Sequence, residues 1–244
     1  MRVLRGRAES IDRDREVSEA LRAWVADHRE PAVRVWAPYR QVAFGRIDAN
    51  EPGYDRARAA ARDRGFPPVE RGVGGRAVAY TGTTTLAFAR IEPIEDIRTG
   101  LDDRYERMTV DVRGALRRLG VPAERGEPPG SFCPGEHSLQ RDGKLVGIAQ
   151  RIGTGAAITS GVCLVDDHEA IAAVLGPVYE ALDVAFDPEA VGSVAKAGGP
   201  ADPDVVRETI EAALVGDAEP SVDRVSDATV EDLSDSTAAD LRDT

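Results

Sequence analysis

Asp142-Gly143 separates two short extended runs, residues 138–140 and 145–148. This dipeptide is among the strongest short-range signals for a β-hairpin, because the favoured turn needs positive φ at its central residues. A hairpin commits the chain to antiparallel pairing, and here it has a chemical consequence. Lys144 follows the bend directly, so it is brought back toward the Phe132-Cys133-Pro134-Gly135 loop that precedes the first run. Pro134 stops strand pairing and Gly135 permits positive φ or a close backbone approach. The thiolate is the reactive form of cysteine; an ammonium beside it favours that form and can donate to a developing oxyanion. Taken singly, a cysteine is more often a buried, inert thiol and a lysine a solvated surface group.

Lys144 also stands out against its background. The chain holds 43 acidic and 31 basic residues, a net charge of -12, and among the basic ones only Lys144 and Lys196 are lysines. Many acids with so little lysine suit a high-salt cytoplasm, where screening makes the charge density tolerable. Arginine cannot supply a titratable amine, so a lysine kept in such a chain draws notice. The acidic balance argues against nucleic acid as a partner, because phosphate binding needs a concentrated basic surface. No stretch approaches the apolar length of a membrane span or a signal-peptide core, so no membrane association and a cytoplasmic location are expected. Cys133 and Cys163 make neither a disulfide framework nor a metal quartet, and His28, His137 and His168 lack zinc-ligand spacing, so no protein-held metal is expected.

Apolar periodicity predicts helices over residues 16–28, 55–64, 101–119, 167–175 and 205–215, with Asp166 or Asp167 capping the fourth. Strands are expected over 32–36, 41–46, 85–91 and 156–165, with a short one starting at Val121-Pro122-Ala123. Trp36 and Phe44 read as core aromatics or as contacts to a ligand. Residues 124–130 are a polar, Gly/Pro-rich approach to the Cys133 loop, able to move over a site. From 217 to 244 the chain is acidic and too poor in large apolar residues to build a core, which predicts disorder or weak helix.

A second informative stretch is Arg71-Gly72-Val73-Gly74-Gly75-Arg76-Ala77-Val78. Consecutive glycines before an apolar strand let backbone N–H groups approach a phosphate or an acyl carbonyl, although a paired-glycine loop alone is more often an ordinary tight turn. This stretch is similar to the Arg-x-x-Gly-Gly-x-Ala-Val loop of the lipoate and biotin protein ligase superfamily. Lys144-Leu145-Val146-Gly147-Ile148-Ala149-Gln150 resembles that superfamily's lysine strand, and Phe132-Cys133-Pro134-Gly135 followed by Gly143-Lys144 looks most like its octanoyl-transferring amidotransferases. Residues 32–36 and 41–46 look like the family's early hairpin beside the acyl pocket. The chain departs from the ligases in carrying Glu70 before Arg71, Arg76 in place of a third glycine, and threonines where an Asp and Asn usually follow. That weakens an adenylate-forming reading while leaving Arg76 able to contact a phosphate.

The resemblance implies an α+β fold of the class II aminoacyl-tRNA synthetase and biotin/lipoate ligase-like kind, a mixed, mostly antiparallel sheet with helices packed on one side. The resemblance covers roughly residues 34–194; together with the pattern and composition of what flanks it, it gives an expected catalytic domain over residues 1–195, a helical extension over 196–216 and an acidic, disordered or weakly helical tail over 217–244. Cys133 would be the nucleophile and Lys144 its activator and carbonyl binder. Arg71, Gly74, Gly75, Ala77, Val78, Gly147, Ala149 and Gln150 would line the substrate. The implied activity is transfer of an octanoyl or lipoyl group to a lysine of a lipoyl carrier domain, with glycine-cleavage H protein or a 2-oxoacid dehydrogenase subunit as partner. No bound cofactor is implied, and a monomer suffices. Two alternatives stay open: an ATP- and Mg²⁺-using lipoate ligase in which Cys133 is structural, and a non-catalytic acyl- or carrier-binding module.

Overall fold

The computed structural model describes residues 1–71, 75–226, 229 and 233. Its first strand, β1 (Arg2–Arg5), leads into helix α1 (Ile11–His28). The helix starts earlier than its apolar stripe because Ser10 caps it, accepting from the Arg13 N–H, and Asp12 and Asp14 occupy the first turn, where the helix dipole favours negative charge. Strands β2 (Ala32–Trp36) and β3 (Gln41–Phe44) follow, then α2 (Tyr54–Asp63), β4 (Pro68–Glu70), β5 (Val78–Tyr80) and β6 (Thr85–Pro93). Helix α3 (Leu101–Arg118) precedes β7 (Glu124–Arg125), β8 (Ser138–Gln140), β9 (Lys144–Ile152) and β10 (Ala156–Leu164). The chain continues through α4 (His168–Ala181), α5 (Pro203–Val215) and β11 (Ser221–Arg224).

An eight-stranded sheet runs β11-β1-β2-β6-β10-β9-β8-β7, and a three-stranded sheet runs β4-β3-β5. In the large sheet β1 pairs parallel with β11 and with β2, while every other neighbouring pair is antiparallel. The mostly antiparallel α+β architecture expected from the sequence is therefore present. The early hairpin is not: β2 lies between β1 and β6 in the large sheet, whereas β3 lies between β4 and β5 in the small one. Pro38 lies between the two runs, and the chain crosses from one sheet to the other there.

Helices cover both faces of the large sheet rather than one. Because neighbouring strand residues point to opposite faces, Cys163 joins α3 and α5 in one core, while Val162 and Leu164 join α4, α2 and the small sheet in another. Helix α1 packs on that second face, through Leu21 and Val25 against Ile91 and Ala32. The segment expected as an appended extension contributes Val206, Ile210 and Leu214 to the α3 core, so α5 belongs to the main body. Strand β11 lies within the stretch expected to be disordered; Ser221–Arg224 pairs in register with Arg2–Arg5, and Leu233 is buried beside α1. Residues 227, 228, 230–232 and 234–244 of the expected tail lie outside the described residues. Among the described residues no helix is long and apolar enough to cross a membrane.

Two further boundaries differ. Val121 and Ala123 are buried without strand pairing, and the short strand begins at Glu124. Helix α4 runs through Gly176-Pro177 to Ala181 instead of stopping at residue 175. Proline loses one ladder bond there, but burial of Val178 and Tyr179 beyond it holds the helix together. Asp167 occupies the N-cap position without capping; its carboxylate accepts from Thr84 Oγ1 at 2.8 Å.

Candidate active site

The hairpin forms where the sequence places it, with Asp142 at φ 52° and Gly143 at φ 110°. Its register carries a feature the sequence pattern does not reveal. Leu139 pairs with Val146 and Gln140 with Lys144, so Leu145 is an extra residue on β9, a β-bulge. Leu145 and Val146 consequently both enter the α3 core, and Lys144 is turned to the opposite face, the one that carries the Cys133 loop. Gly147 keeps room for it: a Cβ there would stand 3.3 Å from Lys144 Cε.

The amine of Lys144 is 1% exposed and fully engaged. It donates to the carbonyls of Phe132 at 2.9 Å and Cys133 at 2.8 Å, and to Glu127 Oε1 and Oε2 at 3.1 and 3.0 Å. The Phe132 ring lies 5.0 Å from it, a cation–π contact. Burial pushes the lysine below its usual range, with the charges of Glu127 and Cys133 opposing that and Arg71 reinforcing it. The hairpin thus brings Lys144 to the cysteine loop, but onto its backbone.

The cation that touches the sulfur is Arg71, whose Nη2 donates to Cys133 Sγ at 3.2 Å and to the Arg76 carbonyl at 2.7 Å. Gly75, at φ 89°, completes the contact; a Cβ would sit 2.9 Å from Cys133 Sγ and 3.0 Å from the guanidinium. The glycine loop therefore makes its close approach to the thiol. Cys133 itself adopts φ 40°, a left-handed conformation that costs a non-glycine residue about 1–3 kcal/mol. Its N–H donates to Tyr179 Oη at 2.6 Å, and Tyr179 Oη donates in turn to the Ala77 carbonyl at 3.0 Å. Tyr179 is wholly buried on the part of α4 beyond Pro177, so it ties the strained cysteine to the glycine loop and to the helix. Sequence reasoning missed it because Gly176-Pro177 reads as a helix stop.

The remaining expected site residues fall in different places. Ala77 and Val78 are buried at the start of β5, and Gly74 lies outside the described residues. Gln150 lies roughly 20 Å along β9 from Lys144 at about 3.3 Å per residue. Its Oε1 accepts from Arg104 Nε at 3.2 Å, and its Nε2 donates to Thr159 Oγ1 at 3.1 Å, which makes it a strut between the sheet and α3. Ala149 adjoins it. Arg76 pairs with Glu51 at 3.0 Å and Asp48 at 3.4 Å, so its charge is answered by two carboxylates. Phe44 is a core residue edge-on to Tyr54, and Trp36 donates from Nε1 to Asp14.

The second cysteine lacks these features. Cys163 is 0% exposed on β10, and burial alone pushes its thiol up to about 12. Brief treatment of the native protein with iodoacetamide at neutral pH is expected to alkylate Cys133 and spare Cys163, with both modified after unfolding. Peptide mass spectrometry showing Cys163 labelled at a comparable rate in the native state would contradict this assignment.

The model of the lipoyl protein ligase A/B catalytic domain matches residues 14–214. The chain belongs to this family. Its curated relatives include an octanoyl-[GcvH]:protein N-octanoyltransferase of Geobacillus kaustophilus, 31% identical over 157 residues, covering 64% of this chain and 55% of the relative. Another is the octanoyltransferase LipM of an Exiguobacterium species, 32% identical over 129 residues, 52% of this chain and 46% of the relative. The chain thus spans about half the length of the curated relatives it matches. Among solved structures, lipoate-protein ligase A bound with ATP superposes with a TM-score of 0.74 at 20% identity, covering 100% of this chain and 94% of that one. A putative lipoate protein ligase from T. acidophilum with bound lipoic acid gives 0.68 at 20% identity, covering 99% and 94%. At these identities the structures establish the shared fold.

Proposed function

We propose that this family member is a cysteine acyltransferase of lipoate metabolism, moving an octanoyl or lipoyl group onto a lysine of a lipoyl carrier domain. The observation that carries the reading is the setting of Cys133, held at positive φ with its sulfur against Arg71 and its carbonyl on the buried Lys144. A cell does not need such a strained, cation-contacted thiol for packing. The name of the Geobacillus kaustophilus relative, octanoyl-[GcvH]:protein N-octanoyltransferase, supports the choice of acyl group and of a GcvH-type carrier as partner.

In the first step the Cys133 thiolate attacks the donor acyl carbonyl. A C–S bond forms, the bond to the donor nitrogen or sulfur breaks, and the leaving group takes a proton, which the Lys144 ammonium would supply. In the second step the neutral amine of the acceptor lysine attacks the thioester, a C–N bond forms, the C–S bond breaks, the proton lost by the acceptor amine returns to the neutral Lys144 amine, and the thiolate is restored. The covalent intermediate divides one acyl exchange into two easier ones. Arg71, already at the sulfur, would donate to the negative charge of each tetrahedral intermediate, and Lys144 would do so once it releases one of its acceptors; the Cys133 N–H is taken by Tyr179. Arg76 bears on the ligase alternative: its charge is already answered by Asp48 and Glu51, which supports transfer without ATP over a role in receiving a nucleotide phosphate.

Incubation with an octanoylated carrier is expected to leave an octanoyl thioester on Cys133, visible by intact-mass and peptide mass spectrometry and removed by hydroxylamine, without ATP or Mg²⁺. Formation of an acyl-adenylate by a Cys133→Ala variant supplied with ATP, Mg²⁺ and octanoate would overturn the reading in favour of the ligase.

A further inference from the structure

Glu127 stands in the polar segment before the cysteine loop, and its carboxylate gathers four contacts. It accepts from Lys144 Nζ at both oxygens, and its Oε2 also accepts from Ser138 Oγ at 2.5 Å and from the Gly135 N–H at 3.0 Å. Three segments therefore converge on one carboxylate: the loop after Cys133, the end of the hairpin and the bulged strand β9. An ammonium has three N–H donors. Four oxygens stand within hydrogen-bond distance of the Lys144 amine, two from Glu127 and two from the loop backbone. The backbone carbonyls are fixed by the loop. Glu127 is a side chain, 24% exposed against 1% for Lys144, and its second oxygen is the one acceptor that can be given up without moving the chain.

We infer that Glu127 is a positioning residue for acyl transfer: its carboxylate keeps the buried Lys144 amine protonated and aimed at the Cys133 loop, and yields one of that amine's donors to the acyl carbonyl. The inference rests on the proposed function for the reaction itself. The charges acting on Lys144 are Glu127 and Cys133, which favour its protonated form, and Arg71, which opposes it; burial opposes it most of all. Removing the charge of Glu127 leaves burial and Arg71 set against Cys133 alone. The amine then loses its proton at lower pH, and the alkaline limb of the transfer rate follows it downward.

The chain allows this to be read directly, because Lys144 and Lys196 are its only lysines. Full-length protein labelled with isotopic lysine gives two side-chain titrations by NMR, and Lys196→Arg identifies which belongs to Lys144. Glu127→Gln is expected to lower the Lys144 midpoint by about one pH unit or more, the size of effect an adjacent opposite charge produces, with Lys196 unmoved. Glu127→Asp, which keeps the charge but withdraws it by one methylene, is expected to shift the midpoint less in the same direction, and carries the test should Glu127→Gln fail to fold. An unchanged Lys144 midpoint in the folded variants overturns the inference. So does a moved midpoint with an unmoved pH profile of transfer, which would leave Glu127 a structural anchor. If the wild-type chain transfers no acyl group at any pH while the midpoint still moves, it is the proposed function that falls.

Discussion

Cys133→Ala is expected to lower kcat/KM for octanoyl transfer by at least about 10³-fold while leaving the fold intact, since removing the proposed covalent nucleophile would disable both halves of the exchange. The two parts of this expectation come from different observations. Loss of activity follows from the role proposed for the sulfur, the atom to which Arg71 donates and which lies against Gly75. Retention of the fold follows because the anchors of the loop are backbone groups: the Cys133 N–H on Tyr179 and the Phe132 and Cys133 carbonyls on Lys144 survive any change of side chain. Cys133→Gly sharpens the test. Glycine adopts φ 40° freely, so this variant is expected to be as stable as the parent or about 1 kcal/mol more so, and equally inactive. A steady-state transfer assay with an octanoylated carrier, paired with urea denaturation, checks both variants. Activity within tenfold of the parent for either would make the thiol structural.

How far the sequence predicts this arrangement depends on whether each contact is local. The Asp142-Gly143 bend, the long periodic helix α3 and the packed Cys163 are written in short windows, and they stand where the pattern puts them. The convergence of Lys144 on the cysteine loop is legible for the same reason, since one tight turn joins them. What the window cannot show is which face the lysine takes. A strict two-residue alternation from Val146 would send Lys144 into the α3 core, and only the bulge at Leu145 reverses it. Tyr179 is hidden by a local rule overridden from a distance: Gly176-Pro177 is a sound helix terminator, but α4 continues because its far end is buried. Arg71 and Glu127 are separated from Lys144 by most of the sheet or by a loop without periodicity, so their roles as the sulfur's donor and the amine's counter-ion emerge only from the folded contacts. The resemblance carries the glycine loop and the lysine strand, but it also implies a substrate contact for Gln150, whose Oε1 instead accepts from Arg104.

The largest effect expected away from the site is at Asp14, on the first turn of α1. Its carboxylate accepts from Arg34 Nη2, from Trp36 Nε1 at 2.9 Å and from the Ala8 N–H at 3.1 Å, joining the segment before α1 to β2. Arg34 is 1% exposed, and burial pushes its guanidinium below the usual arginine range, yet an arginine does not give up its proton in a folded protein. Asp14→Ala leaves that charge buried with the Ser18 hydroxyl, the carbonyls of Gly6 and residue 14, and the face of the Trp36 ring as its remaining partners. Breaking a buried pair in this way costs about 3–5 kcal/mol, which for a chain of this size lowers Tm by on the order of 10 °C. Desolvation is the larger part of the loss, so removing the second charge should return some of it: Asp14→Ala with Arg34→Met is expected to be more stable than Asp14→Ala alone. The Cys133 loop rests on α4 and β9 rather than on α1, so octanoyl transfer per folded molecule should be unchanged in both. Thermal and urea unfolding of the single and double variants decides the matter. A loss below about 1 kcal/mol for Asp14→Ala, or strict additivity of the two changes, would mean that water reaches Arg34 and that the pair is not the clamp between α1 and β2.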